Sequence, residues 1–360
     1  MMNDRFDQIL YKKEKSMGEK ILLSPLLLAS LPYGFAVLAR TSLYASGLLK
    51  PKKLPRPVIS IGNIAVGGTG KTPLVMTLAK ALMKRGIRTA ILSRGYRSLQ
   101  GSGPLVSDGQ KILLSPEEAG DEPFLMAQTL REIPVLIGKN RFNNGRIALQ
   151  QFQIQGFLLD DGFQHLPLHR DLNIVLIDSH MGFGDGHLLP RGVLREPLSH
   201  LKRADIFLLT KAEDPEAFSA LKSMLHKINP AIPVFHSHYE PVEMVQPDGK
   251  VHPLHLLKGK KVLALSGIGN PAYFLSLIKK CGVEEVDEMI FPDHHSYTVK
   301  ELTSVLEKVK SPNLVVTTEK DMVKLNRIIH HPIPLLALRI EMKIREEEAF
   351  YKRVMEVFEL

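Results

Sequence analysis

Residues 58–72, VISIGNIAVGGTGKT, restrict the fold of this chain more than any other stretch. The apolar run at 58–61 predicts a buried parallel strand, and the residues from Pro73 onward have a helical pattern. The turn between them is rich in glycine, which lets backbone N–H groups point toward an anion at the start of the helix. The stretch therefore predicts a phosphate-binding loop of the form G-x-x-x-x-G-K-[ST], with alanine at the first glycine position.

This loop predicts a site for a nucleoside triphosphate and Mg²⁺. Lys71 is expected to reach the β- and γ-phosphates, and the hydroxyl of Thr72 is expected to ligate Mg²⁺. The residues predicted to surround the phosphates are Ala65, Val66, Gly67, Gly68, Thr69, Gly70, Lys71 and Thr72.

Acidic residues after a second apolar strand predict the metal-binding part of the same site. Asp160 directly follows the apolar residues 157–159, and Asp161 is adjacent to it. An aspartate in this position holds Mg²⁺ directly or through water, and Asp160 is the better candidate. Two further acids, Asp121 and Glu122, open a predicted helix, where acidic side chains often serve only to complement the helix dipole.

Apolar strands alternate with helical segments up to about residue 235, which predicts an α/β fold with a P-loop NTPase-like doubly wound parallel sheet. Ligands of such sheets bind at the carboxyl ends of the strands, so Arg94 and Tyr96, which follow the strand at 89–92, are expected to meet phosphate or sugar. The composition changes beyond residue 235, and a second, smaller α/β domain follows. We expect an N-terminal helical segment at 1–50, a nucleotide-binding domain at 51–235 and the smaller domain at 236–360.

The N-terminal segment combines an apolar stretch with a basic surround. Residues 21–39 contain no charged side chain, and residues 1–56 hold ten lysines and arginines against four acids, in a chain whose net charge is +9. Pro25, Pro32 and Gly34 are expected to interrupt a helix here. The pattern favours a membrane-associated element that lies in the headgroup region of an anionic membrane. A helical hairpin packed on the main domain and a membrane-spanning helix are the alternatives.

Eight stretches of the sequence together resemble the tetraacyldisaccharide 4'-kinase family, the lipid A 4'-kinases of Gram-negative bacteria. They are, in chain order between about residues 55 and 325, GNIAVGGTGKTP, LSRGYR, GDEP, LLDDGFQH, LLPRGVLREP, SGIGNP, FPDHHSYT and TTEKD. The resemblance implies an enzyme that uses ATP and Mg²⁺ to phosphorylate the 4'-hydroxyl of a tetraacylated glucosamine disaccharide 1-phosphate. It also implies a peripheral, monotopic location on the cytoplasmic side of the inner membrane, with the residues at 51–235 as the kinase domain and those at 236–360 as a lid.

The resemblance also implies roles for individual residues. Asp121 would be the base for the sugar hydroxyl, tuned by His294, although His295 is the alternative to His294. The remaining implied roles are catalysis for Lys71 and Arg195, metal binding for Thr72, Glu122 and Asp160, and substrate binding for Arg94, Tyr96, Arg141 and Asp161.

Two other classes of protein compete with a lipid kinase. One is a P-loop nucleotide switch or metallochaperone-type NTPase, which the LLTK stretch ending at Lys211 weakly favours because it resembles a base-recognition loop of GTPases. The other is a nucleic-acid-binding ATPase, which only the net charge favours, since the sequence shows no basic groove rich in aromatic residues. We therefore expect no nucleic-acid partner.

The single cysteine, Cys281, fits a reducing compartment.

Overall fold

The structure is a computed structural model that describes residues 9, 12, 15–95, 103–213, 218–293, 295–308, 314–328 and 334–359. By its internal contacts the chain forms two compact units. Unit 1 consists of Met1–Arg94, Glu132–His238 and Ile344–Leu360, and unit 2 consists of Gly95–Arg131 and Tyr239–Lys343.

The helices are numbered here in chain order, leaving out short 3₁₀ turns. They are α1 Met17–Leu22, α2 Ser24–Ala45, α3 Lys71–Lys84, α4 Pro116–Ala119, α5 Asp121–Thr129, α6 Arg141–Gln151, α7 Ser219–Ile228, α8 Pro271–Lys280, α9 Val299–Lys308, α10 Glu319–Leu325 and α11 Glu347–Met355.

The strands are numbered in the same way. They are β1 Val58–Asn63, β2 Thr89–Ser93, β3 Leu105–Ser107, β4 Val135–Ile137, β5 Gly156–Asp160, β6 Leu172–Asp178, β7 Ile206–Thr210, β8 Val234–Val245, β9 Val251–Pro253, β10 Lys261–Ser266, β11 Glu285–Ile290, β12 Leu314–Thr318 and β13 Leu335–Ile344.

Unit 1 is built on a parallel sheet in the order β8-β7-β6-β1-β5-β2-β4, and each neighbouring pair in this order is parallel. Strand β1 lies between β5 and β6, and every one of its residues is buried. The register places Ile61 beside Asp160, so the chain leaves β1 for the phosphate-binding loop next to the end of β5. The expected doubly wound parallel sheet is confirmed.

Helix α2 is continuous, although the sequence predicts interruptions at its prolines and glycine. Pro25 lies in the first turn, where its missing N–H costs nothing, and Pro32 lies inside the helix without ending it. The carbonyl that Pro32 leaves without its usual partner belongs to Leu28, which is 70% exposed. The expectation of a broken segment is therefore wrong, because this proline lies on a helix that borders solvent.

One face of α2 packs against residues 188–200 of unit 1. Ser30 Oγ lies 3.1 Å from the carbonyl oxygen of Leu188 and accepts a 3.1 Å hydrogen bond from the backbone N–H of Arg191. The opposite face leaves Leu28, Leu31 and Phe35 exposed. By length and composition α2 is the one helix in the described part of the chain that could cross a membrane.

Lys15 and Ser16, the two residues directly before α1, both make specific contacts. Ser16 caps α1 by accepting a hydrogen bond from the backbone N–H of Glu19. The side chain of Lys15 is 1% exposed, and its ammonium lies 2.9 Å from Asp185, which also binds Arg191 at 2.7 Å. Lys15 is therefore a buried cation of unit 1.

Unit 2 contains a second parallel sheet in the order β11-β10-β12-β13, followed by β8, which pairs in antiparallel fashion with β9. The apolar core includes Leu265, Val315 and Leu335 from three of these strands. Helix α5 packs against α10 in this unit. The second α/β domain expected from the sequence is therefore present.

The division by contacts differs from the expected domain boundaries in two places. The change at 238–239 lies near the expected one at 235–236, but residues 95–131 belong to unit 2 and residues 344–360 belong to unit 1. As a result Asp121 and Glu122, which the sequence places in the first α/β domain, lie in unit 2.

Candidate functional site

The phosphate-binding loop joins β1 to α3, as the sequence predicts. Gly70 takes the position before the helix with a φ of 90°, a conformation that favours glycine, and Lys71 is the first helical residue. Inside the loop, Asn63 donates a 2.9 Å hydrogen bond from Nδ2 to the hydroxyl of Thr69, and both side chains are buried. The loop therefore presents the N-terminus of a 14-residue helix and a lysine to an anion.

The first half of the loop is held by residues 193–195. Ala65 forms an isolated antiparallel bridge with Leu194, and the backbone N–H of Val66 donates to the carbonyl of Val193 at 2.8 Å. The backbone N–H of Arg195 donates to the carbonyl of Ile64 at 2.8 Å. The extended backbone of such a bridge accommodates a Cβ, which explains why alanine can replace the first glycine of the motif.

Lys211 stabilises the phosphate-binding loop, a role that the sequence did not predict. Its ammonium donates to the carbonyl of Gly68 at 3.0 Å and forms a buried ion pair with Asp178. Asp178 also accepts the backbone N–H groups of His180 and Met181. The sequence signal was the LLTK stretch, but the side chain serves the phosphate-binding loop.

Asp161 connects two of the predicted cations. Lys71 Nζ lies 3.5 Å from Asp161 Oδ1, and Arg195 donates to both carboxylate oxygens of Asp161, at 2.9 and 3.0 Å. Burial opposes the charged carboxylate, but the two cations outweigh it and hold the pKa of Asp161 below its usual value. Three residues named from the sequence, Lys71, Arg195 and Asp161, are thus in direct contact.

Arg141 is the first residue of α6 and is 5% exposed. Its guanidinium lies 3.4 Å from Nδ1 of His165, which must accept this hydrogen bond because arginine has no acceptor. Burial, with the charges of Arg141 and Arg170, lowers the pKa of His165 to about 3. His165 is therefore a neutral imidazole at pH 7, and the sequence marked it only as the last residue of the LLDDGFQH stretch.

Arg94 and Tyr96 are the two residues expected to meet phosphate or sugar. Arg94 is exposed after the end of β2, and its charge acts on Arg141 and His165. Tyr96 lies outside the described residues, as does His294. Their predicted roles stay predictions.

The donors expected for Mg²⁺ are hard oxygen atoms, which suit this ion. Thr72 is the second residue of α3, and Asp160 ends β5 with its Oδ2 accepting a 2.8 Å hydrogen bond from Ser93. Within the described ranges no group of three or more histidines, cysteines or acids could hold a metal by itself.

Asp121 and Glu122 begin α5 in unit 2, where both contact cations from α10 and the residues after it. Asp121 lies 3.8 Å from Lys324 Nζ through Oδ2 and 3.3 Å from Arg327 Nη2 through Oδ1. Glu122 lies 3.0 Å from Lys320 Nζ. These two acids are therefore held by specific cations in addition to the dipole of their own helix.

Comparison with known proteins gives one consistent result. A family model described as tetraacyldisaccharide-1-P 4'-kinase matches residues 20–359. The chain is 40% identical to a tetraacyldisaccharide 4'-kinase of Geobacter sulfurreducens, over 92% of each chain. It is 40% identical to one of Halothermothrix orenii, over 92% of this chain and 91% of that one.

A solved structure is also similar over nearly the whole chain. It is the crystal structure of the "apo" form of LpxK from Aquifex aeolicus in complex with ATP. The two chains are 36% identical and superpose with a TM-score of 0.74, over 94% of this chain and 99% of that one. The likeness therefore extends over most of both units.

Proposed function

The chain belongs to the tetraacyldisaccharide-1-P 4'-kinase family and is an ATP-dependent kinase of lipid A biosynthesis, and from this premise we propose how its residues act and where it works. The family match sets aside the nucleotide switch, the metallochaperone-type NTPase and the nucleic-acid-binding ATPase. The acceptor is the 4'-hydroxyl of a tetraacylated glucosamine disaccharide 1-phosphate. The observation that supports the proposed roles most strongly is the loop between β1 and α3, with Lys71 at the helix start and Asp160 at the end of the neighbouring strand.

The loop and Lys71 bind the triphosphate. The backbone N–H groups at residues 65–70 and the N-terminus of α3 stabilise the phosphate charge, and Lys71 neutralises the β- and γ-phosphates. Lys71 is paired with Asp161 in the structure, so binding of ATP exchanges a carboxylate partner for a phosphate. Arg195 keeps Asp161 in place during this exchange, because it binds both oxygens of the carboxylate.

Thr72, Asp160 and Glu122 are the residues that would hold Mg²⁺, which neutralises charge on the transferring phosphate when it is bound. Asp121 accepts the proton of the 4'-hydroxyl while the oxygen forms a bond to the γ-phosphorus. The bond between that phosphorus and the β–γ bridging oxygen breaks, and ADP leaves. His294, or His295 beside it, assists Asp121, and Arg141, Arg94 and Tyr96 bind phosphate or sugar groups of the acceptor.

A transfer assay with radiolabelled ATP and the tetraacyl disaccharide 1-phosphate tests these roles. Lys71→Ala should lower kcat by several orders of magnitude with the fold intact, because Lys71 acts on phosphates rather than in the core. Lys84→Ala, at the exposed end of the same helix, is the matched control and should keep wild-type activity. Near-wild-type transfer by Lys71→Ala would overturn the assignment of the loop.

We also propose that the enzyme is a monotopic protein of the inner membrane of a Gram-negative bacterium and faces the cytoplasm. Two observations support this location. The apolar face of α2 that carries Leu28, Leu31 and Phe35 is exposed, while its other face packs against the rest of unit 1. The acceptor is an acylated lipid, so an enzyme at the membrane surface can meet it without extracting it into water.

A further inference from the structure

Two lysines of helix α10 contact the two acids that begin α5. Lys320 and Lys324 are four residues apart and therefore lie on one face of the helix. Lys320 contacts Glu122 at 3.0 Å, and Lys324 contacts Asp121 at 3.8 Å. The spacing of two lysines on α10 thus matches two consecutive acids on α5.

The start of α10 is fixed tightly in the core of unit 2. Asp321 has no exposed surface, and it accepts hydrogen bonds from the hydroxyl of Thr318 at 2.8 Å and the backbone N–H of Gly267 at 3.0 Å. Lys324 lies 3.3 Å from Asp321, and its ammonium lies 5.9 Å from the centre of the Tyr297 ring. The side chain of Lys324 is only 6% exposed, so its position is defined by packing.

Lys320 reaches a second acid as well. Its ammonium lies 3.4 Å from Asp293, the residue directly before the predicted functional histidine, His294. One lysine therefore connects Glu122 with the segment that carries the candidate histidines.

The contacts leave Asp121 able to act on a hydroxyl. A carboxylate has about four acceptor positions; Arg327 donates to one of them on Oδ1, and the ammonium of Lys324 lies 3.8 Å from Oδ2 as an ion pair. The two cations thus fix the direction of the carboxylate and leave lone pairs for a proton. A base held in one orientation transfers a proton faster than one that must first be ordered.

We propose that Lys324 and Lys320 are positioning residues for phosphoryl transfer. Lys324 aligns the carboxylate of Asp121, and Lys320 holds Glu122 and Asp293 in place by forming an ion pair with each of them. The proposal rests on the proposed function, because it takes Asp121 as the base. Residues that orient a reacting group in this way act through it, so their effects should appear in kcat and depend on the presence of Asp121.

The experiment measures kcat, KM for ATP and the melting temperature of Lys324→Met, Lys324→Arg and Lys320→Met. Loss of an orienting partner should lower kcat by about 10- to 100-fold, by analogy with residues that orient metal ligands, while KM for ATP stays near the wild-type value. Lys324→Arg keeps the cation and should restore most of kcat. Lys261→Met is the matched control, since Lys261 pairs with Glu285 on the surface of the same unit.

A double-variant cycle separates positioning from structure. In the Asp121→Ala background, Lys324→Met should cause no further loss of kcat. Wild-type kcat in Lys324→Met, or losses that multiply in the double variant, would overturn the assignment of Lys324. If Lys324→Met does not fold, Lys320→Met decides in its place, because its side chain is 19% exposed: unchanged kcat there overturns the proposal. High activity of Asp121→Ala itself would instead contradict the proposed base.

Discussion

The hydroxyl of Tyr33 donates a 2.8 Å hydrogen bond to the backbone carbonyl of Arg195, whose guanidinium holds both carboxylate oxygens of Asp161. The backbone N–H of the same arginine donates to Ile64, just before the phosphate-binding loop. One residue thus links the N-terminal helix, the loop and the acid that pairs with Lys71. The apolar helix is a packed part of unit 1 as well as a candidate membrane contact.

Tyr33→Phe should reduce the free energy of unfolding by about 1 kcal/mol, the usual net contribution of one hydrogen bond. For a unit of this size, that corresponds to a melting temperature lower by about 2–4 °C. Calorimetry checks the value, with Tyr44→Phe in the last turn of the same helix as the control. An unchanged melting temperature in Tyr33→Phe would show that the bond to Arg195 contributes nothing.

Lys211→Met should destabilise the protein strongly, by about 3–5 kcal/mol, because it leaves the carboxylate of Asp178 buried without its cation. The double variant Lys211→Met/Asp178→Asn should recover part of the loss, since the uncompensated charge is gone. Denaturant unfolding of both variants measures this. A single variant as stable as the wild type would argue against a buried ion pair, and ATP binding would report whether the loop at Gly68 still forms.

The stability of the folded protein should depend on pH through His165. Its pKa is about 3 in the folded protein, whereas a histidine in an unfolded chain titrates near pH 6.5. Below pH 6.5 His165 is protonated in the unfolded state, whereas in the folded state it stays neutral down to about pH 3. The free energy of unfolding therefore decreases as the pH falls from 6.5 to about 3. His165→Gln should flatten the fall in stability between pH 6.5 and 4, measured by urea unfolding. His169→Gln controls for loss of an imidazole, and an NMR titration of His165 near pH 6.5 would contradict the prediction.

Leu31→Glu combined with Phe35→Glu should weaken binding to vesicles that contain anionic lipid. Each buried large apolar side chain contributes roughly 2 kcal/mol, and both side chains are more than half exposed in the protein. The matched control is Ile112→Glu with Leu113→Glu, an exposed apolar pair in unit 2. High salt should weaken binding of the wild type without abolishing it, because screening removes only the Coulomb attraction. Equal co-sedimentation of both double variants would argue against α2 as the membrane contact.

The sequence predicts those elements whose signal is local. The apolar runs at 58–61, 89–92 and 157–159 predict β1, β2 and β5 to within about two residues, and the loop before α3 is predicted as well. These signals are local, because a strand buried on both faces is a run of apolar residues and a phosphate-binding loop is a run rich in glycine. Strands β11 and β13 were not predicted. The first is acidic and largely exposed at the edge of its sheet, so it lacks the apolar run that marks a buried strand.

The contacts that define the candidate site could be predicted only in part. The sequence predicts the site residues Lys71, Asp160 and Asp161, but it does not predict the contacts of Lys211, Lys320 and Lys324. Lys211 pairs with Asp178, Lys320 with Glu122 and Lys324 with Asp121. Each of these pairs joins residues that are 33 or more positions apart along the chain, so the sequence around the lysine does not identify the acid. The prediction that Pro32 interrupts α2 is wrong for a related reason. The rule that proline ends a helix considers only the local sequence and not the exposed surface on which this helix lies.

The burial of Lys15 against Asp185 bears on how this protein is shortened for laboratory work. The similarity to the family begins at residue 20, which invites an expression vector that starts there. Such a chain would lack the cation that shares Asp185 with Arg191, and it would also lose Ser16, the cap of α1. A start before Lys15 keeps the buried charge balanced, so the first residue to retain is set by packing and not by sequence similarity.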